Sequence, residues 1–351
     1  MRPATRGTPR RGGAEWRQIS TNDPSQSGTV NEDILLVLTA VAFALVAGAN
    51  DGATIVAINL PNPAIRPSAA IAILAMAVVI VPLVIGAHVA ETLVGGLVSF
   101  EGRAGERHFL GAVVAALAVV FVLSRRGLPT SLTLALLGAI VGTGLGLGLT
   151  VSWATVTAVV LIGLAAPAVS SIAGLLMARA LGLSQVGRHA WTQLRFLSGI
   201  SFLLQSIAYA ANDGQKMLAV LAIALGLGAN GRVVVQPGSQ ILLGALFALG
   251  SLTGIDRFAS RLGRGILPVR ALHVVASELA SAASVLVSAG LGAPVSMTQA
   301  ATAALLGAGV SETVWRVRWE QALRIGGAWV FTLPASVLAG AFVALALGVL
   351  V

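Results

Sequence analysis

The chain is a succession of apolar stretches, several longer than the ~20 residues that one helical crossing of a bilayer needs, and two of them carry the same polar interruption. Ala49-Asn50-Asp51-Gly52 lies inside one stretch and Ala211-Asn212-Asp213-Gly214 inside another, 162 positions later. An aspartate in the middle of a membrane helix costs roughly 2.5–3.5 kcal/mol on insertion scales. A chain that accepts that cost twice, in the same local sequence, is building one polar site from two halves. Secondary transporters with internal repeats are laid out in this way, with interrupted helices meeting near the bilayer midplane.

Only 10% of the 351 residues are charged and 56% are hydrophobic, whereas soluble domains carry about 25% charged residues. The apolar runs are continuous, without the ten-residue alternation of a membrane β-barrel. The expected fold is therefore an all-α, multi-pass protein of the cell membrane. It has about ten to twelve transmembrane helices, arranged as two inverted repeats with broken helices at the midplane. Residues 1–33 are polar and Arg-rich and read as a disordered tail. They lack the pattern of a signal peptide. The first repeat spans residues 34–181, a connecting loop 182–193, and the second repeat 194–351. Pro334 inside the last run suggests a kink or a division there.

Composition also excludes functions. No cysteine is present, so disulfides, thiol catalysis and cysteine metal sites are ruled out. The formal charge of +9 comes from arginines in the tail and in short loops, as membrane topology requires. No basic face with interleaved aromatics marks a nucleic-acid partner. The four histidines, His88, His108, His189 and His273, are scattered mostly at run ends and form no catalytic or metal cluster. The chain reads as a non-enzyme without cofactor, whose partners are the lipid bilayer and a small solute. Lys216 is the single lysine among 22 basic residues and stands three positions after Asp213. In a chain that otherwise uses arginine, it is placed for a purpose.

A second matched pair supports the duplication. Leu128-Pro129-Thr130-Ser131-Leu132-Thr133 opens one apolar run, and Ala293-Pro294-Val295-Ser296-Met297-Thr298 opens another. Each continues to a Leu-Leu-Gly-Ala tetrapeptide, at 136–139 and 305–308. Asn50 precedes Ser131 by 81 positions and Asn212 precedes Ser296 by 84. Proline followed by small hydroxyl residues suits the first turn of a helix, where free N–H groups and the helix dipole favour an anion. Ser131, Thr133, Ser296 and Thr298 add hydroxyls beside those amides. Helix capping alone would account for either element, but not for the matched pair. Asn-Asp-Gly suits a point where a helix unwinds, freeing carbonyls that, with Asp51 or Asp213, bind a small cation or a proton. Asn50 and Asn212 supply both donors and an acceptor.

Other intramembrane groups weigh less. Glu278 belongs either to the ion path or to a buried structural contact in an Ala- and Ser-rich run. Glu91 reads as interfacial. Gln205 and Tyr209 precede the second motif on one helix face and serve packing at least as well as a site. Gly142, Gly144, Gly146 and Gly148 have no preceding strand and no following lysine, so they read as helix contacts or a kink, not a phosphate loop.

At these residues the sequence resembles the inorganic phosphate transporter family, the PiT-type symporters. Gly48-Ala49-Asn50-Asp51 is similar to the family's N-terminal signature and Ala211-Asn212-Asp213-Gly214-Gln215-Lys216 to its C-terminal one. The two Pro-x-Ser-x-Thr elements, Ala90-Glu91-Thr92, 276–283 around Glu278, and 319–334 extend the likeness from residue 34 to the end. The resemblance implies import of phosphate or metal-phosphate with Na⁺ or H⁺ by alternating access, in a homodimer. It implies that Asn50, Asp51, Asn212 and Asp213 bind the coupling ion and phosphate, that Ser131, Thr133, Ser296 and Thr298 cradle the anion, and that Gln215 and Lys216 belong to the same site. Glu278 joins the coupling-ion set. The chain departs from the family's Ser-Thr-Thr-His at both hydroxyl elements, has Tyr209-Ala210 where His-Gly is usual, and has Thr54 in place of the first motif's second Asn. A sulfate or other oxyanion permease of the same fold, or a non-transporting sensor or scaffold, are the alternatives.

Overall fold

In lipid every backbone polar group must find its partner inside the chain, which leaves long apolar segments little choice but the helix. The computed structural model describes residues 30–61, 64–125, 130–184, 190–229, 231–265 and 269–350. The first half comprises α1 (Val30–Ala47), α2 (Ala53–Asn59), α3 (Pro67–Ile85), α4 (His88–Glu91), α5 (Gly102–Arg125), α6 (Leu132–Gly146) and α7 (Trp153–Ser184). The second comprises α8 (Ala190–Tyr209), α9 (Gln215–Ala224), α10 (Pro237–Gly265), α11 (Ala271–Gly290), α12 (Met297–Val310) and α13 (Trp319–Leu350). A two-residue antiparallel pair, Gly228–Ala229 with Arg232–Val233, follows α9.

Among the described residues, eight helical segments are long and apolar enough to cross a membrane, and two further apolar runs form shorter helices. α6 and α12 have 15 and 14 residues, about 21–22 Å at ~1.5 Å per residue, against a hydrocarbon core of ~30 Å. The last run is not divided at Pro334, and α7 also continues through a proline, Pro167. Neighbouring helices in a membrane bundle accommodate the freed backbone groups. α1 begins at Val30, inside the span assigned to the tail, and α7 and α8 extend into the 182–193 loop from either side. The rest of the tail, residues 185–189 and Pro129 lie outside the described residues.

The largest departure concerns the Asn-Asp motifs. The chain does not unwind there. Gly48–Gly52 and Ala210–Gly214 are single π-helical turns between α1 and α2 and between α8 and α9, with helical backbone angles on both sides. A π turn inserts one residue and shifts the side-chain register while keeping the backbone hydrogen-bonded. An unwound segment would leave that requirement unmet.

The two halves pack by exchange. α10 lies on α1 and its π turn, and α3 lies on α8 and the other π turn. Likewise α13 packs along α6, and α7 along α12. Glycine makes the close approaches possible. A Cβ on Gly142 would fall 2.0 Å from the Val337 carbonyl oxygen, and one on Gly307 1.8 Å from that of Ser171. The reverse contacts match too: Gly340 against the Ala139 carbonyl and Gly174 against that of Ala304. Gly142 and Gly307 are 165 positions apart, as are Ser131 and Ser296. The Leu-Leu-Gly-Ala tetrapeptides are therefore not structural counterparts, since Gly138 and Gly307 are 169 apart, about one turn out of register. Small residues recurring at helical spacing let the sequence match itself one turn away. Gly142, Gly144 and Gly146 are helix contacts, as expected.

Gly142→Ala and Gly307→Ala each place a methyl against an immovable carbonyl, an overpacking that costs typically about 1–3 kcal/mol. Each variant is expected to melt at lower temperature than the parent in detergent. Gly199→Ala, with nothing within 4 Å of the added methyl, is expected to show no such fall.

Candidate functional site

The π turns carry four polar side chains into the interior. Asp51 and Asp213 are each 4% exposed and Asn212 is fully buried, while Asn50 is half-buried. Asp51 lies within electrostatic reach of both Asp213 and Lys216. The two acidic turns thus lie near enough for their charges to act on one another.

In the second half Asn212, Asp213, Gln215 and Lys216 are each held by hydrogen bonds. Asn212 Nδ2 donates to the Ala293 carbonyl (2.9 Å), and Asn212 Oδ1 accepts from Val295 N–H (3.0 Å). These bonds clamp the segment that leads into α12. Asp213 Oδ2 accepts from Met297 N–H (3.0 Å), so the carboxylate takes an orphan amide at the positive end of α12. Lys216 Nζ donates to Asp213 Oδ1 (2.7 Å), to Thr133 Oγ1 (2.6 Å) and to the Val295 carbonyl. Thr133 belongs to the first half, and its hydroxyl also approaches Val295 O (3.3 Å) and Asp213 Oδ1 (3.4 Å). One ammonium therefore joins α6, α9 and the α12 leader. Gln215 makes a further cross-link: its Oε1 accepts from Val89 and Ala90 N–H (2.8 and 3.2 Å), at the start of α4.

The first half has the same frame with fewer bonds. Ser131 and Ser296 cap α6 and α12 with nearly identical backbone angles, φ −102° and −103°, ψ 116° in both. Each Oγ accepts from the N–H three residues on, Leu134 (3.3 Å) and Gln299 (3.4 Å). Ser296 also bonds Thr298 (2.9 Å). Asn50 Nδ2 turns back to Asp51 Oδ1 (2.8 Å), and Thr54 Oγ1 donates to the Asn50 carbonyl (2.5 Å). Among the described residues, Asp51 has no ion pair, and no side chain accepts from the Leu132 or Thr133 N–H groups at the start of α6. Those amides are orphans of the kind that helix N-termini offer to anions.

Of the sequence-predicted residues, Asp51, Thr133, Asp213 and Lys216 form one electrostatic group, with Asn50 and Asn212 as its immediate supports and Ser131, Ser296 and Thr298 at the two helix caps. Gln215 braces α4. Glu278 is engaged elsewhere: its Oε2 accepts from Ser201 Oγ on α8 (2.5 Å) and Oε1 has no partner. Gln205 bonds Ser281 (3.2 Å) beside it. Sequence reasoning passed over the backbone atoms of Ala293 and Val295, whose only signal is the adjacent Pro294. Tyr209, which the sequence left between packing and a site, does pack in the interior. That side chain is fully buried against Phe247, with ring centroids 5.2 Å apart. Among the described residues its hydroxyl has no hydrogen-bond partner, and it lies within electrostatic reach of both Asp51 and Asp213.

The pattern of the phosphate transporter family matches residues 47–193 and 183–340. The chain belongs to the phosphate transporter family. A probable low-affinity inorganic phosphate transporter of Mycobacterium bovis is 31% identical over 322 residues, covering 88% of this chain and 76% of that one. The protein of the same description from Rhizobium meliloti is 29% identical over 317 residues, 87% of this chain and 93% of its own. That of Bacillus subtilis is 27% identical over 318 residues, 88% and 95%. A solved structure of a sodium-dependent phosphate transporter has the same fold, with a TM-score of 0.76 at 18% identity, over 92% of this chain and all of that one. Family membership and eight crossing helices make this a multi-pass membrane protein, and the family is one of transporters, not enzymes.

Asn212→Ala removes both partners of the α12 leader and strands a buried carbonyl and amide, each costing about 1–3 kcal/mol. The variant is expected to melt well below the parent. Asn50→Ala, whose side chain bonds only its neighbour Asp51, is expected to lose less.

Proposed function

We propose that the protein imports inorganic phosphate, coupled to Na⁺ or H⁺, by exposing one buried site alternately to the two sides of the membrane. The single observation that carries this reading is the convergence, inside the membrane span, of two acidic π turns with two serine-capped helix starts. On this reading the exchanged packing of the halves reflects inverted repeats, and their rocking moves the site between faces.

An anion does not approach two carboxylates without help. A cation or proton at Asp51 supplies it, which couples the two solutes. The anion then takes the free amides at the start of α6, the Thr133 hydroxyl and the Tyr209 hydroxyl. Ser131, Ser296, Thr298 and the Asn50 amide complete the cradle. Asn212, Gln215 and Lys216 act by holding the second half's share of the site in place, and Glu278 accepts a proton or cation along the path. The carboxylates also favour phosphate over sulfate. A carboxylate is acceptor-only, so it gains a hydrogen bond from the proton that phosphate carries at neutral pH. It repels sulfate, which carries none.

The test is uptake of labelled phosphate in cells that lack their own phosphate transport. Uptake is expected, with little competition from equimolar sulfate, and Asp51→Asn is expected to abolish it. Tyr209→Phe is expected to raise KM about tenfold, the loss of one hydrogen bond to a charged group. Abolition of uptake by equimolar sulfate would favour a general oxyanion permease. Unchanged flux in both Asp51→Asn and Asp213→Asn would favour a scaffold.

A further inference from the structure

We propose that the Lys216 ammonium is a tethered cation permanently filling the second half's ion site, so that only the Asp51 half exchanges a cation with solution. The inference rests on reading the Asn-Asp turns as cation sites, and it assigns the two turns different roles.

The surroundings of Lys216 carry it. Nζ is bound by a carboxylate oxygen (Asp213, 2.7 Å), a hydroxyl oxygen (Thr133, 2.6 Å) and a carbonyl oxygen (Val295). Carboxylate, hydroxyl and carbonyl oxygens are the ligands that hard metal cations select. An ammonium has three protons, and three oxygens receive them. None is left for an anion, so Lys216 is not a phosphate-binding residue in this state. The group is 3% exposed, and it is the single lysine of the chain.

The first half supplies the comparison. The position 162 residues before Lys216 is Thr54, whose hydroxyl is spent on the Asn50 carbonyl at 2.5 Å. Asp51 is as buried as Asp213, at 4% exposed for each, yet among the described residues no lysine, arginine or histidine pairs with it. A buried carboxylate needs a counter-charge or a proton. Asp213 has its counter-charge built in, whereas Asp51 must take one from solution. Asn212 and Asp213 also bond the α12 leader, so on this proposal the second half is the fixed wall of the site. The cycle then moves one cation fewer than two unpaired carboxylates would.

The test reads Na⁺ binding as thermal stabilisation of the purified full chain in detergent, without phosphate, in NaCl against choline chloride. Work in an Asp51→Asn background silences the first half. In that background, Na⁺ is expected to give no stabilisation. Adding Lys216→Ala is expected to create one, a rise of about 2–4 °C at saturating Na⁺. Lys216→Met, of similar length and no charge, is expected to do the same. Lys216→Arg, which keeps a tethered charge, and Lys216→Ala combined with Asp213→Asn, which removes the ligand, are expected to show no response. Folded neutral variants without a Na⁺ response would overturn the proposal. So would failure of both neutral variants to fold in NaCl, because an inorganic cation should replace the ammonium. A Na⁺ response in the neutral variants, together with no phosphate uptake by the parent chain, would retain the tethered cation and remove the transport reading.

Discussion

One ammonium in the middle of the protein makes the rest of the arrangement tenable. Lys216 shares its protons among Asp213, Thr133 and Val295, and those three oxygens come from three separate segments. Desolvating an ion costs several kcal/mol, and a buried pair is tolerable only when geometry and further hydrogen bonds offset the cost. Here Asp213 gains Lys216 on one oxygen and the Met297 amide on the other. The same contact pins the first turn of α6 to the leader of α12. Without it, the two helix starts would be linked at this point only by the longer contacts of the Thr133 hydroxyl with Val295 O and Asp213 (3.3 and 3.4 Å), and a carboxylate would be buried without a counter-charge.

Around that contact, local features of the first half recur in the second with different contents. The caps at Ser131 and Ser296 agree to a degree in φ. The glycine-to-carbonyl contacts of α6 with α13 recur between α12 and α7. Within the frame the copies diverge: the second Asn-Asp turn is bonded on every side, and the first keeps its bonds local. A site whose one wall is fixed and whose other wall has unspent amides and an unpaired carboxylate can bind and release without losing its shape. On the proposed reading, that difference between the halves lies at Thr54 and Lys216, which occupy matching positions in the two motifs.

Much of this was legible because polar residues in apolar runs are costly and therefore placed. Asn50, Asp51, Asn212 and Asp213 stood out for that reason, and the Pro-x-Ser-x-Thr elements did so through the cap chemistry that Ser131 and Ser296 in fact perform. Lys216 was marked by its rarity and by its place three residues after Asp213. The rest was hidden for physical reasons. Ala293 and Val295 act through backbone atoms, which their side chains do not announce. A π turn and an unwound turn draw on the same Gly, Asn and Asp, so only the backbone tells them apart. The Leu-Leu-Gly-Ala match was off by a turn because small residues repeat at helical spacing within each helix. Glu278 looked like Asp51 or Asp213 in sequence, a lone acid in an apolar run, yet its hydrogen bond runs to Ser201 on a neighbouring helix. Which helices exchange between halves depends on long-range packing, such as that of Gly142 on Val337 and Gly307 on Ser171, and no local pattern encodes it.

The central claim is that an oxyanion binds where the starts of α6 and α12 face the two acidic turns. Arsenate has the shape and protonation of phosphate and an anomalous X-ray signal of its own. A crystal structure of the protein with arsenate should show one anomalous peak within hydrogen-bond distance of the Leu132 and Thr133 amides, between Asp51 and Asp213. A peak only at the membrane surface, with that position empty at saturating arsenate, would contradict the account.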